Sequence, residues 1–456
     1  MSTTGLSTAT GFLADVGGIA GLGAALALWF DTNQAYKSSG GGIVTPDSIL
    51  TYTAPSPKLV YGSDGVLRYA PHNLVTYSQT FTNAFWTTYL GSTTDNNYSA
   101  PDGSVTAARY LETASSGVHR IGSGAVTATN NTTYTFSVYL QTLGRQWAYL
   151  NLFDTNDRRT YFDVQNGAVG TTAAGTTAAI TSVGNGWYRC SITLTVAATT
   201  LYLSIGSASA DGTVSFAGDT AKGVYVWGAQ LNLGSSALTY IPTTTAAVYS
   251  LPRDYNPTTG APLGVLVEEA RTNLCLYSDD FTNAAWVKVN VTPAKTATGP
   301  DGVANSASTL TATLANGTVL QAITSASAAR ITSMFVKRRT GSGTVEVTQN
   351  NGVLWTAVTV TANWTRVSVP SATILNPIVG VRIVTSGDAI DVALFQNENG
   401  AFITSPIPTT NNPLGVTRAA DQISILTSAF PYSATAGTVA YEVKPAAVSF
   451  PFAYEF

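Results

Sequence analysis

One phrase of this chain is written twice. Asn73-Leu74-Val75-Thr76-Tyr77-Ser78, followed by Phe81-Thr82-Asn83-Ala84-Phe85-Trp86, returns as Asn273-Leu274-Cys275-Leu276-Tyr277-Ser278, followed by Phe281-Thr282-Asn283-Ala284-Ala285-Trp286. An internal repeat of this kind fixes the domain plan before any chemistry is considered, because each copy has to close its own core and each can be read against the other. The correspondence continues downstream. Pro101-Asp102-Gly103 matches Pro300-Asp301-Gly302, Phe136 to Leu140 match Thr332 to Val336, and Trp187-Tyr188-Arg189 matches Trp364-Thr365-Arg366. Gln230, Gly234 and Ile241-Pro242-Thr243-Thr244 match Gln396, Gly400 and Ile407-Pro408-Thr409-Thr410. Copy two is 34 residues shorter, since 168 positions separate Asn73 from Ile241 and 134 separate Asn273 from Ile407. All of the loss falls between shared anchors, where loops and edge strands tolerate it.

Within each copy, short alternating segments such as residues 133–140, 147–153, 187–196 and 223–231 are separated by Gly, Asn, Asp and Pro, with no competing helical period. Only 10% of residues are charged, and Ser, Thr, Ala and Gly fill long stretches. The expected fold is all-β: tandem antiparallel, jelly-roll-like sandwiches after an irregular N-terminal docking segment. The expected divisions are a docking and oligomerisation region at 1–70, sandwich one at 71–245, a turn-rich linker at 246–270 and a shorter sandwich two at 271–412. Residues 413–456 are expected to begin a third β domain or to supply inter-chain strands, because so short a stretch cannot close a sandwich alone.

The net charge of -3 argues against a phosphate-tracking surface, so no nucleic-acid partner is expected. Cys190 and Cys275 stand at non-equivalent places in the repeat, which favours two small buried hydrophobes over a disulfide and agrees with a reducing cytoplasm during folding. Residues 11–30 are apolar but Gly-rich, carry Asp15 and lack a basic start, so they read as a docking element and neither as a secretory signal nor as a membrane span.

The runs from Tyr69 to Ser78, from Gly264 to Leu274, Asn185-Gly186-Trp187-Tyr188-Arg189 and Trp227-Gly228-Ala229-Gln230-Leu231 resemble bacteriophage virion fibre proteins of the head-spike or tail-fibre group. The resemblance covers roughly residues 45 to 425, fully for copy one and partly for copy two, where Ala393-Leu394-Phe395 replaces Trp227-Gly228-Ala229. It implies sandwiches similar to carbohydrate-binding modules, a lectin-like character for a third domain begun at 413–456, a virion location after assembly in the bacterial cytoplasm, and attachment to host surface polysaccharide. It also implies docking on capsid, portal or tail proteins through the N-terminal region and a homo-oligomer, with a trimer favoured. Passive spacing or capsid decoration, and polysaccharide depolymerisation, are the alternatives to adhesion. No cofactor is expected.

The best candidate surface is residues 147–153, whose alternation places Trp147, Tyr149, Asn151 and Phe153 on one face and Ala148, Leu150 and Leu152 on the core face. Flat rings two residues apart beside an amide suit a glycan. Copy two has Thr344, Glu346 and Thr348 at the first three positions, so the fold does not need those groups there; a covering loop or subunit is the other explanation for them. Arg158 and Arg159 follow and suit acidic sugars, while Asp154, Asn156 and Asp157 offer calcium-type oxygens without a complete calcium loop. Trp86 with Trp286, and Trp187 with Trp364, recur and are expected in the core. No catalytic residue is assigned: Glu268 and Glu269 lie in the linker facing opposite ways, and His72 and His119 belong to no triad.

Overall fold

A computed structural model describes residues 28–30, 35–37, 42–44, 50–53, 56–410 and 414–425. Most of the expected docking element at 11–30, and residues 426–456, lie outside the described residues. Leu28–Phe30, Ala35–Lys37 and Gly42–Val44 pair as an antiparallel meander. The rest of the described chain is antiparallel β structure with no helix. It falls into two compact units, one spanning Tyr69–Ser250 and the other holding the second repeat with its flanks.

In the Tyr69–Ser250 unit two sheets enclose one core. One sheet runs, in spatial order, Thr177–Gly184, Trp187–Thr195, Thr133–Leu143, Gly223–Leu233, Ala107–Glu112 and Gly91–Tyr98. The other runs Ala168–Val169, Thr160–Asp163, Trp147–Phe153, Thr200–Ala208, Arg120–Ser123 and Trp86–Tyr89. Alternate residues of both sheets, among them Phe136, Val138, Leu140, Ala148, Leu150, Leu152, Ile205 and Leu231, form the buried layer. The second repeat keeps five strands in each sheet around an equivalent core centred on Phe281, Trp286, Val336, Val347, Val381 and Phe395. The edge strand Thr177–Gly184, whose Ala178 and Ile180 pack against the margin of the core, has no counterpart there, which accounts for part of the shortening.

The repeated phrase marks a buried polar clasp. Asn73 is fully buried; its Nδ2 donates to the carbonyls of Ala229 and Ile241 at 3.0 and 2.9 Å, and its Oδ1 accepts the N–H groups of Val75 and Leu231 at 3.1 and 3.2 Å. Asn273 repeats all four bonds, with Phe395, Ile407, Cys275 and Asn397. Gln230 and Gln396 accept the N–H of Ile241 and Ile407, and Ser78 and Ser278 accept those of Thr243 and Thr409. Both Tyr77 and Tyr277 hold left-handed backbone, at φ 52 and 50, and each carbonyl accepts the Nε1–H of its copy's Trp86 or Trp286.

The second recurring tryptophan pair behaves otherwise. Trp187 is buried in a separate aromatic cluster with Trp227, outside the main core, and Trp364 is only half-buried, capping the carbonyl of Thr298. What the two copies share at this point is the following arginine. Arg189 and Arg366 each lie over an aromatic ring, Tyr139 or Phe335, and bond Ser137 or Ser333 at 3.0 Å.

Residues 246–270, read as a linker, contain paired strands. The turn-rich run closes a hairpin between Arg253–Tyr255 and Pro262–Val265, and the largely covered Glu268 side chain stands beside Lys58 at 3.2 Å and Arg418 at 3.0 Å. Asp421 pairs with Lys58 and accepts the Glu268 N–H at 2.7 Å. Beyond residue 413, Val416–Arg418 pairs with Arg271–Asn273, and Gln422–Ile425 pairs with Leu50–Thr53. Glu269 instead pairs with Arg271 at the surface side. Cys190 and Cys275 are free and buried, with thiol pKa values raised by desolvation.

Two expectations follow. Asn73→Ala leaves two N–H groups and two carbonyls of one buried site unpaired, so it should lower the stability of the Tyr69–Ser250 unit by roughly 3–5 kcal/mol in denaturant melts. Asn273→Ala should do the same to the other unit, and a loss under about 1 kcal/mol would overturn the clasp. His72 is fully buried and neutral: Nδ1 donates to the Ala70 carbonyl and Nε2 accepts the Leu233 N–H, both at 2.9 Å. Burial lowers its pKa to about 4. The unfolded chain therefore binds the proton first, and this unit should lose stability as pH falls from about 6.5 to about 4. An NMR titration of the His72 ring near pH 6.5 would contradict this.

Candidate functional site

The outer face of the sheet containing Trp147–Phe153 carries a groove of about 430 Å³ lined by Tyr89, Leu90, Val118, Arg120, Tyr149, Asn151, Phe153, Asp157 and Arg159. A second hollow of about 280 Å³ continues past Tyr89, Arg120, Asn151 and Phe153 to Ser123, Tyr202 and Ser204. The expected alternation holds: Ala148, Leu150 and Leu152 enter the core, and the odd-numbered residues face out.

The strand registers explain the shape. One row across the sheet reads Tyr161, Tyr149, Gly206, Arg120, Tyr89, and the next reads Asn151, Ser204, Gly122, Thr87. A Cβ at Gly206 would overlap the Tyr149 ring, so the glycine is what lets that tyrosine lie across the sheet. Tyr149 is only 1% exposed, packed with Tyr161, Ala208 and Trp147. Phe153, Tyr202 and Tyr89 are exposed by 40, 47 and 43%, which makes them the rings available for stacking.

Of the six residues picked from sequence, Tyr149, Asn151, Phe153 and Arg159 share the groove. Trp147 packs in the Tyr149, Tyr161 and Ala208 cluster beside Gly170. Arg158 points elsewhere: its Nε donates to Asp154 at 3.1 Å and its Nη1 to the Ala174 carbonyl at 2.9 Å. Its backbone N–H donates to Asn151 Oδ1 at 2.9 Å, which orients that amide. Tyr89, Arg120 and Tyr202 escape a reading of the sequence because cross-strand pairing, and nothing in local spacing, brings them to this face.

The acidic loop residues are engaged internally. Asp154 is buried and accepts from Arg158 and from the N–H groups of Asn156 and Ala197, at 3.3 and 2.9 Å for the latter two. Burial by itself raises the Asp157 pKa, but the bonds from Arg159 and the charges of Arg159 and Arg120 outweigh it and hold the carboxyl below its usual range. Arg158 and Arg159 are bonded to those two carboxylates, and among the described residues no group of three His, Cys, Asp or Glu side chains is placed to hold a metal. Burial raises the Tyr149 pKa, against the opposing charges of Arg120 and Arg159, so its hydroxyl keeps its proton.

Copy two occupies the same row differently. There it reads Ala357, Glu346, Arg382, Thr318, Val289. Arg382 stands where copy one has Gly206, donates to Glu346 at 2.5 and 2.6 Å, and lies 4.5 Å from the Trp355 ring centroid. An ion pair lies where copy one has a groove.

No protein-family model matches the chain, and no curated protein matches it. Among solved structures it is similar to the N-terminal CBM22-1-CBM22-2 tandem domain of Paenibacillus barcinonensis Xyn10C, at 9% identity and TM-score 0.23 over 76% of this chain and 100% of that one. It is also similar to a Paenibacillus xanthan lyase, at 11% identity and TM-score 0.25 over 81% and 31% of the two chains. A third is the exo-beta-1,3-galactanase of Phanerochaete chrysosporium, at 10% identity and TM-score 0.19 over 82% and 91%. At these scores the likenesses carry no information about this chain's ligand, and the site stands on its own geometry.

The contrast between copies is testable by transplant. Gly206→Arg alone drives a side chain into the Tyr149 ring and should destabilise by about 1–3 kcal/mol. Adding Tyr149→Glu should recover much of that loss by recreating the copy-two pair, which a double-mutant cycle in denaturant would read as coupling. Additive losses would show that the rows are not equivalent.

Proposed function

We propose that this chain is a non-catalytic adhesin: a fibre or spike protein of a bacteriophage virion that holds host surface polysaccharide in the groove of its first sandwich. The observation that carries the binding half is the placement of three exposed rings, Phe153, Tyr202 and Tyr89, with Asn151, Ser204, Arg120 and Arg159 along the groove and the hollow that continues it. Rings offer apolar faces to the C–H faces of a pyranose, and the polar groups meet its hydroxyls. The second copy supports the reading, because it keeps the fold with an ion pair in the row that holds Tyr149 and Tyr89 in copy one. The groove's one carboxylate, Asp157, is tied to Arg159, whereas glycoside hydrolysis by the usual route uses two carboxylates across one bond.

The virion half rests on the repeated phrases and the resemblance they carry. In this reading the N-terminal region docks on capsid, portal or tail proteins, and a homo-oligomer, trimeric by analogy, multiplies weak single sites into useful avidity.

The test is a glycan array probed with the purified chain. Phe153→Ala with Tyr202→Ala should weaken binding by at least about tenfold while leaving the melting temperature within a few degrees, since both rings are exposed. Unchanged binding would remove the groove from the function, and release of reducing ends from polysaccharide would favour the depolymerase instead.

A further inference from the structure

The groove contains an imbalance of charge. Its lining residues include two guanidinium groups, Arg120 and Arg159, and one carboxylate, Asp157. Asp157 bonds Arg159 through both of its oxygens. Arg120 lies over the Tyr89 ring, 4.5 Å from its centroid, and among the described residues it has no carboxylate within ion-pair distance. Its surroundings in the groove are Leu90, Val118, Tyr149 and Phe153, with Asn151 the neutral polar neighbour.

A ligand that covers this groove strips water from Arg120. A neutral saccharide does so with hydroxyls alone and leaves a cation whose nearest acid in the groove, Asp157, is bonded to Arg159; a carboxylate on the ligand pairs with it directly, in a setting where low-dielectric walls strengthen the attraction. The planar guanidinium, held by the Tyr89 ring, also presents paired N–H donors in the geometry a carboxylate accepts. Copy two shows the balanced version of the same face. There Arg382 is stacked on Trp355 and has its own acid, Glu346, at the position of Tyr149. Copy one keeps a stacked arginine on the adjoining strand and lacks the acid.

Resting on the glycan-binding reading above, we infer that the ligand is an acidic saccharide, and that its uronate carboxylate stands to Arg120 as Glu346 stands to Arg382. Arg159, already neutralised by Asp157, borders the site; Arg120 discriminates.

The experiment uses the full chain in calorimetric titrations against matched pairs of probes: short oligosaccharides bearing galacturonate, glucuronate or mannuronate, and the same oligosaccharides with each carboxyl reduced to the alcohol. At least one acidic probe should bind about tenfold or more tightly than its reduced partner, and rising salt should weaken the acidic member alone. Arg120→Gln should abolish the difference, bringing the acidic probe to the affinity of the neutral one, and Arg120→Lys should restore part of it; a melting curve confirms that each variant folds. Equal or tighter binding of the reduced probes, or a preference for acid that survives Arg120→Gln, would overturn the acidic class while leaving a glycan groove. Failure of every probe, together with failure of the glycan array, would overturn both. The wild-type comparison of paired probes stands even if the Arg120 variants do not fold.

Discussion

Each repeat is closed by one buried asparagine. Asn73 and Asn273 stand where the first strand of a sandwich meets its last, and each satisfies four backbone groups that the sheets themselves leave unpaired. An amide is the one side chain type that offers two donors and an acceptor from a neutral plane, so neither Asp nor Leu of similar size can replace it without burying a charge or orphaning the backbone. The rest of the recurring phrase, with its Ser, Gln, Thr and the Trp that caps a strained tyrosine carbonyl, elaborates the same clasp.

With the frame held in this way, the outer faces are free to diverge. The two copies pair equivalent rows of residues, and the difference between a groove and a filled surface comes down to a few positions: Gly206 against Arg382, Tyr149 against Glu346, Arg120 against Thr318. Removing a side chain at Gly206 lets a ring lie down, and removing the acid leaves a cation unbalanced. Steric and electrostatic changes of that size cost the core nothing, because the same strands present their alternate residues inward.

Charge plays the opposite role in the second unit. Lys58, Glu268, Arg418 and Asp421 meet in a buried cluster assembled from three distant parts of the chain. Ions taken from water need their partners in place, so the cluster ties the run around Glu268, the strand Arg271–Asn273 and the segment 416–425 into one arrangement. Two segments that read as a linker and as the start of something new are held to each other by it.

The sequence determined the repeat, the all-β class, the core face of residues 147–153 and the presence of groups in copy one that its fold does not require. These depend on local alternation and on comparing one copy with the other, which need no coordinates. Tertiary structure decided which of those groups meet. It kept Tyr149, Asn151, Phe153 and Arg159 in one groove, turned Arg158 onto Asp154, packed Trp147 against a side cluster and brought in Tyr89, Arg120 and Tyr202 from distant strands. The reason is physical: alternation fixes the face of a residue within its own strand, whereas neighbours across a sheet are set by register, which the whole sandwich determines.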